Sequence, residues 1–500
     1  MKPVSSDSGA LPQNTRQPAE GDDRAYDRAT TQTGTSDGNP SSVQSGGLHR
    51  TLKNRHIQMI ALGGAIGTGL FYGSSASIKM AGPAIILAYL VGGLMIFLIM
   101  RALGEMSVQN PVSGAFAHYA HENVGPFAGF FSGWNYWFNY VTVSMAELAV
   151  VGIYVNFWFP DIPKWVSSAV FLVLITAINL VSVSAYGEFE FWFALIKVVA
   201  IIAMILFGLA MILFGLGNGG DPVGLSNLTE HGGFFPHGWW GVTTALVIVM
   251  FSFGGVELIG ITAGEAADPA RSIPKAINEV VLRIFVFYVG AIFVILCIFP
   301  WERVGDEGSP FVTVFAKIGI PAAASLLNMV VLTAAVSAYN SGLYSNGRML
   351  LSLAKQGNAP SFLQRVSAQG SPYAGILVSS AVTGIAVLLT YLLPGKVFLY
   401  LISVALTAAN LNWILIVFTQ LKFRQRIGVE EAGKLKFPMP LHPFSNYLVL
   451  AFLGLVTVLM WFLPDFRYAL YVAPIWVGTL SLGYVLKCRA EKRRGMTPVP

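Results

Sequence analysis

Twelve long apolar segments, at roughly 56–78, 83–103, 126–157, 163–183, 187–216, 239–263, 279–300, 322–353, 373–393, 396–421, 445–463 and 468–487, constrain this chain more than any other feature. A helix needs about 20 consecutive apolar residues to cross a bilayer. Inside the hydrocarbon every backbone N–H and C=O must be paired, and a helix achieves this within one segment. The charged fraction of 11% lies well below the ~25% of soluble domains. An outer-membrane barrel would instead show short stretches that alternate with period two. The fold class that follows is all-α, a polytopic membrane protein of 12 transmembrane helices.

Charge orients these segments. With the N-terminus inside, 24 Lys and Arg residues fall on the cytoplasmic side, and only Lys79, Lys164, Arg303, Lys317, Lys396 and Arg467 face out. By the positive-inside rule both termini are then cytoplasmic, in the inner (cytoplasmic) membrane. The net charge of +6 sits beside apolar segments and not in a folded basic domain, so no nucleic-acid partner is expected. Residues 1–48 are rich in Ser, Thr, Gly, Asp and Gln and lack an apolar core; they read as a disordered tail and not as a cleavable signal. Residues 49–487 form the membrane domain, and 488–500 a second cytoplasmic tail. Cys297 and Cys488 lie near the ends of different helices, so a disulfide is not expected. His118 and His121 share a helix face without Cys or carboxylate partners and read as solvated surface, so no metal site or other cofactor is expected.

The first segment is interrupted by its own composition. Ile60-Ala61-Leu62-Gly63-Gly64-Ala65-Ile66-Gly67-Thr68-Gly69-Leu70-Phe71 places four glycines near its centre, each costing about 1 kcal/mol against Ala in a helix interior. Backbone that opens here would present N–H and C=O groups to a ligand, which at membrane depth is tolerated only around a cavity or inside protein. The same glycines also fit the small-xxx-small spacing that brings membrane helices close together. A second interruption favours the binding reading. Val249-Met250-Phe251-Ser252-Phe253-Gly254-Gly255-Val256-Glu257 breaks segment 6 with a glycine pair followed by a carboxylate. An external loop from Gly217 to Trp240 separates the first five segments from the next five, so the two broken segments each lead a group, at about 56–216 and 239–421, with 445–487 an addition. Corresponding Gly-interrupted segments in two halves point to a transporter with a midplane site.

Helix ends supply the chemistry. N–H groups at Thr68 and Gly69 face an anion favourably where the outer half of segment 1 begins. Carbonyls released near Ala65, Phe251 and Gly254 can accept from an ammonium. Together these recognise the backbone of a zwitterionic amino acid.

The residues also carry a family resemblance, spanning nearly everything from Leu48 to Arg494. Lys53-Asn54-Arg55-His56-Ile57-Gln58, the segment 1 motif, Phe127-Ala128-Gly129-Phe130-Phe131-Ser132-Gly133-Trp134-Asn135-Tyr136-Trp137, Glu190-Phe191-Trp192-Phe193-Ala194-Leu195-Ile196-Lys197, Ser252-Phe253-Gly254-Gly255-Val256-Glu257 and Tyr339-Asn340-Ser341-Gly342-Leu343-Tyr344-Ser345-Asn346 resemble the bacterial amino acid permeases of the amino acid-polyamine-organocation superfamily. The resemblance implies a leucine-transporter-like fold of two inverted five-helix repeats plus two helices, alternating access, and import of an amino acid with a proton. It implies that Thr68 and Gly69 hold the substrate carboxylate, that carbonyls of Ala65, Phe251 and Gly254 hold its ammonium, and that the Phe251 ring gates the site. The segment 3 and segment 8 motifs look most like aromatic amino acid and phenylalanine permeases, whereas Phe71-Tyr72-Gly73-Ser74 and Lys79-Met80-Ala81-Gly82-Pro83 are closer to proline permeases.

Three ionisable residues within the membrane complete the candidates. Lys197 lies about ten residues, roughly 15 Å, into segment 5, too deep to snorkel. The resemblance gives its ammonium the place of a sodium site and a role in proton coupling; a structural pin paired to carbonyls is the alternative. Glu257, just past the second break, reads as a gate or coupling group, and Glu147 in segment 3 as a proton carrier, a gate partner or a packing carboxylate. Asn340, Ser341, Asn410 and Asn412 read as interhelical hydrogen-bonding groups. The function expected is proton-driven import of an amino acid, aromatic by the closest motifs. A proline or asparagine permease, an exchanger, and a binding-only sensor remain alternatives. A membrane enzyme is disfavoured, since the chain shows no paired acid and base, nucleotide loop or metal cluster.

Overall fold

The structure, a computed structural model, describes residues 66–112, 114–181, 183–262, 268–304, 321–393 and 397–493, together with Met59 and Phe311. The chain divides into two units, Met1–Val43 and Gln44–Pro500, and all described residues belong to the second. The expected N-terminal tail and the part of segment 1 that holds Gly63, Gly64 and Ala65 lie outside the described residues.

Every regular element among the described residues is helical. In chain order these are α1 (Thr68–Phe71), α2 (Gly73–Ala81), α3 (Ile85–Gln109), α4 (Ala115–Asn123), α5 (Pro126–Asn156), α6 (Lys164–Val181) and α7 (Val183–Phe214). They continue with α8 (Gly238–Ser252), α9 (Leu258–Thr262), α10 (Pro269–Arg283), a π-helical turn (Ile284–Gly290) and α11 (Ala291–Ile298). The last are α12 (Pro321–Lys355), α13 (Tyr373–Thr383), α14 (Ile385–Leu392), α15 (Val397–Ala432), α16 (Phe444–Phe462) and α17 (Pro464–Arg493). Ten helices among the described residues are long and apolar enough to span a membrane, where twelve segments were expected. The difference lies at the two interruptions. Segment 6 is divided between α8 and the short α9, and the described part of segment 1 runs through a 3₁₀ turn at Gly82–Ala84 into α3.

α5 forms the centre of the bundle, packing against α4, α6, α12 and α15. It starts where it does because Gly125 turns the chain with φ +139° and Pro126 occupies the first helical position, where its missing N–H is not needed. Small residues let α5 and α12 approach closely: a Cβ on Gly133 would lie 2.6 Å from Leu353 Cδ2, and one on Gly342 would lie 2.7 Å from Ser144 Oγ. Outward faces stay apolar, as with Leu206 on α7 and Ile475 on α17, both more than 60% exposed, which suits contact with lipid. The late polar residues do bond between helices. Asn135 Nδ2 donates to Asn412 Oδ1 at 2.9 Å and Asn410 Nδ2 to Thr457 Oγ1 at 2.6 Å, while Asn179 Nδ2 reaches Asn340 Oδ1 at 2.8 Å. Ser341 Oγ lies 3.3 Å from the Tyr186 hydroxyl. His118 sits beside Glu122 on a partly exposed face, and Cys297 and Cys488 are both free thiols.

One buried carboxylate ties three parts of the bundle together. Glu105, near the end of α3, accepts from Arg424 Nε at 2.6 Å and Nη2 at 2.7 Å, from Gln420 Nε2 at 2.8 Å, and from the Met439 N–H at 2.6 Å. Arg101, one turn earlier, donates to the Pro438 carbonyl and lies over the Phe437 ring at 3.7 Å. The segment between α15 and α16 is thereby held to α3 by charge-assisted bonds on both sides. Removing one member of a buried ion pair leaves the other uncompensated, at a cost of about 3–5 kcal/mol. Glu105→Ala should therefore lower the thermal midpoint of the detergent-solubilised protein markedly. Glu105→Ala combined with Arg424→Leu should recover part of that loss in the same unfolding experiment.

Candidate functional site

The first interruption is seen from Ile66 onward. Gly67 is extended, with φ −119° and ψ −161°, so α1 starts afresh at Thr68. The first N–H groups of a helix have no partner inside it, and here Thr68 N–H donates to Glu147 Oε1 at 3.3 Å. A Cβ on Gly67 would lie 2.8 Å from that same oxygen, so the carboxylate reaches the helix start only because residue 67 is glycine.

The second interruption follows α8. Residues 253–257 form turns before α9 resumes at Leu258. Gly255 adopts φ +97°, in the left-handed region where a side chain is strained. The two interruptions touch. Ser252 Oγ donates to the Gly69 carbonyl at 2.9 Å, and Tyr288 hydroxyl donates to the Ser252 carbonyl at 3.0 Å. A Cβ on Gly69 would stand 2.8 Å from Ser252 Cα.

Around this junction lies a small, partly open cavity of about 40 Å³, bordered by Gly67, Gly69, Glu147, Phe251, Gly254 and Glu257 among others. That is room for about three waters, whereas small-molecule sites typically run from roughly 300 Å³ upward. The helices are closed on the cavity, and an amino acid needs them to part. Its lining brings two buried carboxylates together: Glu147, with the Thr68 hydroxyl beside it, and Glu257, with the Trp413 and Tyr140 side chains beside it, each keep one oxygen without a close hydrogen bond among the described residues. A ligand entering the cavity would meet these two carboxylates first.

Of the residues singled out in the sequence, Gly69, Phe251, Gly254, Glu147 and Glu257 meet at this cavity, and Thr68 joins them through its bond to Glu147. Ala65 lies outside the described residues. Two of the backbone groups expected to be open are engaged in the closed arrangement, Thr68 N–H by Glu147 and the Phe251 carbonyl by Gly254 N–H at 3.0 Å. Lys197 is not at the cavity. Its ammonium is fully buried behind the first interruption, donating to the Ile66 carbonyl at 3.1 Å and to Ser337 Oγ at 2.9 Å. Sequence reasoning passed over two polar groups here. Ser337 Oγ donates onward to Glu190 Oε1 at 2.6 Å, and Glu190 is as fully buried as Lys197. The signal for Glu190 was its spacing, since seven residues before Lys197 is two turns along one helix face.

Two interrupted helices converging on a small polar cavity inside a bundle of membrane-length helices are the arrangement of a secondary transporter. The chain belongs to the amino acid permease family, whose model matches residues 56–494. It is 52% identical over 445 residues, 89% of this chain and 97% of the relative, to the aromatic amino acid transport protein AroP of Escherichia coli strain K12. The AroP of Salmonella typhimurium strain LT2 is 51% identical over the same length. An uncharacterized amino acid permease of Bacillus subtilis, YtnA, is 51% identical over 429 residues, 86% of this chain and 93% of the relative.

The contact between the interruptions yields a test. Gly69→Ala forces a methyl group into the Ser252 backbone, an overpacking that costs about 1–3 kcal/mol, whereas a Cβ on Gly73 would meet its nearest neighbour at an ordinary 3.7 Å. Amino acid uptake by cells producing Gly69→Ala should fall by roughly tenfold or more, while Gly73→Ala should transport like wild type.

Proposed function

We propose that this protein imports an aromatic amino acid, phenylalanine, tyrosine or tryptophan, together with a proton by alternating access, and that it is a transporter and not an enzyme. The observation that carries the reading is the convergence of both helix interruptions on a cavity bordered by two buried carboxylates, Glu147 and Glu257. The aromatic assignment is supported by the AroP relatives, aromatic amino acid transport proteins about half identical over most of the chain.

In this reading Thr68 and Gly69 bind the substrate carboxylate, and the carbonyls of Ala65, Phe251 and Gly254 receive its ammonium. That Thr68 N–H already holds a carboxylate, from Glu147, supports an anion at this helix start. Substrate entry displaces Glu147 from that N–H, and Phe251, at the cavity wall, closes over the side chain. Lys197 carries the coupled proton, its contact with the Ile66 carbonyl joining it to the first interruption, while Glu257 and Glu147 respond to substrate at the cavity. The proton gradient is the driving force and no cofactor takes part. The protein resides in the cytoplasmic membrane with both termini inside, as the 24 to 6 division of Lys and Arg supports. Residues 56–216 and 239–421 act as inverted repeats, with 445–487 appended.

Proteoliposomes with an imposed inward proton gradient test the proposal. Labelled phenylalanine should accumulate, unlabelled tryptophan and tyrosine should compete, and Lys197→Ala should reduce accumulation by roughly tenfold or more. Competition by proline or asparagine alone would overturn the aromatic assignment and leave the transport mechanism standing.

A further inference from the structure

The Lys197 ammonium does not stand alone. It meets Ser337 Oγ from α12 at 2.9 Å. The Ser337 hydroxyl in turn donates to Glu190 Oε1 at 2.6 Å. All three residues are fully buried. Glu190 and Lys197 are two turns apart, about 10 Å of helix rise, and the hydroxyl of a second helix bridges them. The charged groups that act on Lys197 are Glu190 on its own helix and Glu147 on α5. The other elements packed on α7, namely α6, α11 and the π-helical turn Ile284–Gly290, contribute none among the described residues. Glu147 accepts from Thr68 N–H, so among the described residues the bridged carboxylate is Glu190.

We infer that Lys197, Ser337 and Glu190 form one proton-handling unit, with Glu190 the counter-ion and acceptor and Ser337 the relay. This rests on the coupling role proposed for Lys197. In the step, the Lys197 N–H bond breaks as a new O–H bond forms on Ser337 Oγ, while the original Ser337 O–H bond breaks and an O–H bond forms on Glu190 Oε1. Ammonium and carboxylate become amine and carboxylic acid, with net charge and proton count unchanged. An ion pair removed from water is costly, so the exchange lets the unit cross between outward and inward states as a neutral pair. One end of the unit touches the Ile66 carbonyl at the edge of the first interruption, which links its protonation to the opening of the cavity.

The test uses the full-length protein in proteoliposomes and two readouts with labelled phenylalanine: accumulation driven by an imposed proton gradient, and gradient-free exchange against unlabelled phenylalanine. Glu190→Gln keeps the shape and the ability to accept from Ser337, so a purely structural hydrogen bond would leave accumulation intact. The unit requires that Glu190→Gln and Ser337→Ala lose accumulation at least about tenfold while exchange stays within about twofold of wild type, and that Ser337→Thr retains both. Wild-type accumulation in either Glu190→Gln or Ser337→Ala overturns the unit. If Glu190→Gln does not fold, seen as loss of exchange, Ser337→Ala decides the question. Lys197→Ala separates the two levels. If it alone loses accumulation, only the unit fails; if it accumulates like wild type, the coupling role of Lys197 fails and the unit with it.

Discussion

In a bilayer a backbone group that leaves its helix must find another partner, and the rest of this structure depends on the two places where that happens. At Gly67 the chain is extended, and at Gly255 it turns through the left-handed region. The interruptions hold each other: Ser252 Oγ takes the Gly69 carbonyl, and Tyr288 takes the Ser252 carbonyl. Only glycine at 69 allows the backbones this close. Other broken-helix groups find partners nearby: Thr68 N–H meets Glu147, the Ile66 carbonyl meets Lys197, and the Phe251 carbonyl meets Gly254 N–H. The site is a consequence of unpaired backbone made tolerable by protein burial.

Charge is distributed in the interior according to how well it can be neutralised. Glu105 has four donors and acts as a clamp, binding α3, α15 and the segment beyond α15 into one piece. Glu147 and Glu257 each retain a buried oxygen without a close hydrogen bond among the described residues, and both border the cavity. The carboxylate with four donors holds helices together, and the other two line the cavity where the interruptions meet. Lys197 falls between these cases, bridged through Ser337 to Glu190 and held to the first interruption by the Ile66 carbonyl.

Much of this was legible in the residues. Segment lengths and low charge specified a helical membrane protein, since hydrocarbon admits few other backbones. Gly67 in segment 1 and the Gly254-Gly255 pair in segment 6 stood at the interruptions seen in the structure, and Asn340, Asn410 and Asn412 were readable as interhelical hydrogen-bonding groups and do bond in that way. The span count was less legible, because an interrupted segment forms two short helices and a tight turn joins the first to its neighbour. Glu190 stood in a quoted motif without a role, because its importance comes from Ser337, 147 residues away in the chain.

The sequence by itself determined which segments enter the membrane, where helices must break, and which family the motifs resemble, because each depends on local composition: length of apolar run, glycine content, and residue order. Only the tertiary structure decided that Thr68 N–H is taken by Glu147, that Lys197 stands behind the cavity and not in it, and that Ser337 joins it to Glu190. Those are contacts between helices far apart in the chain. Helical periodicity tells which face a side chain occupies, and only packing tells what that face meets.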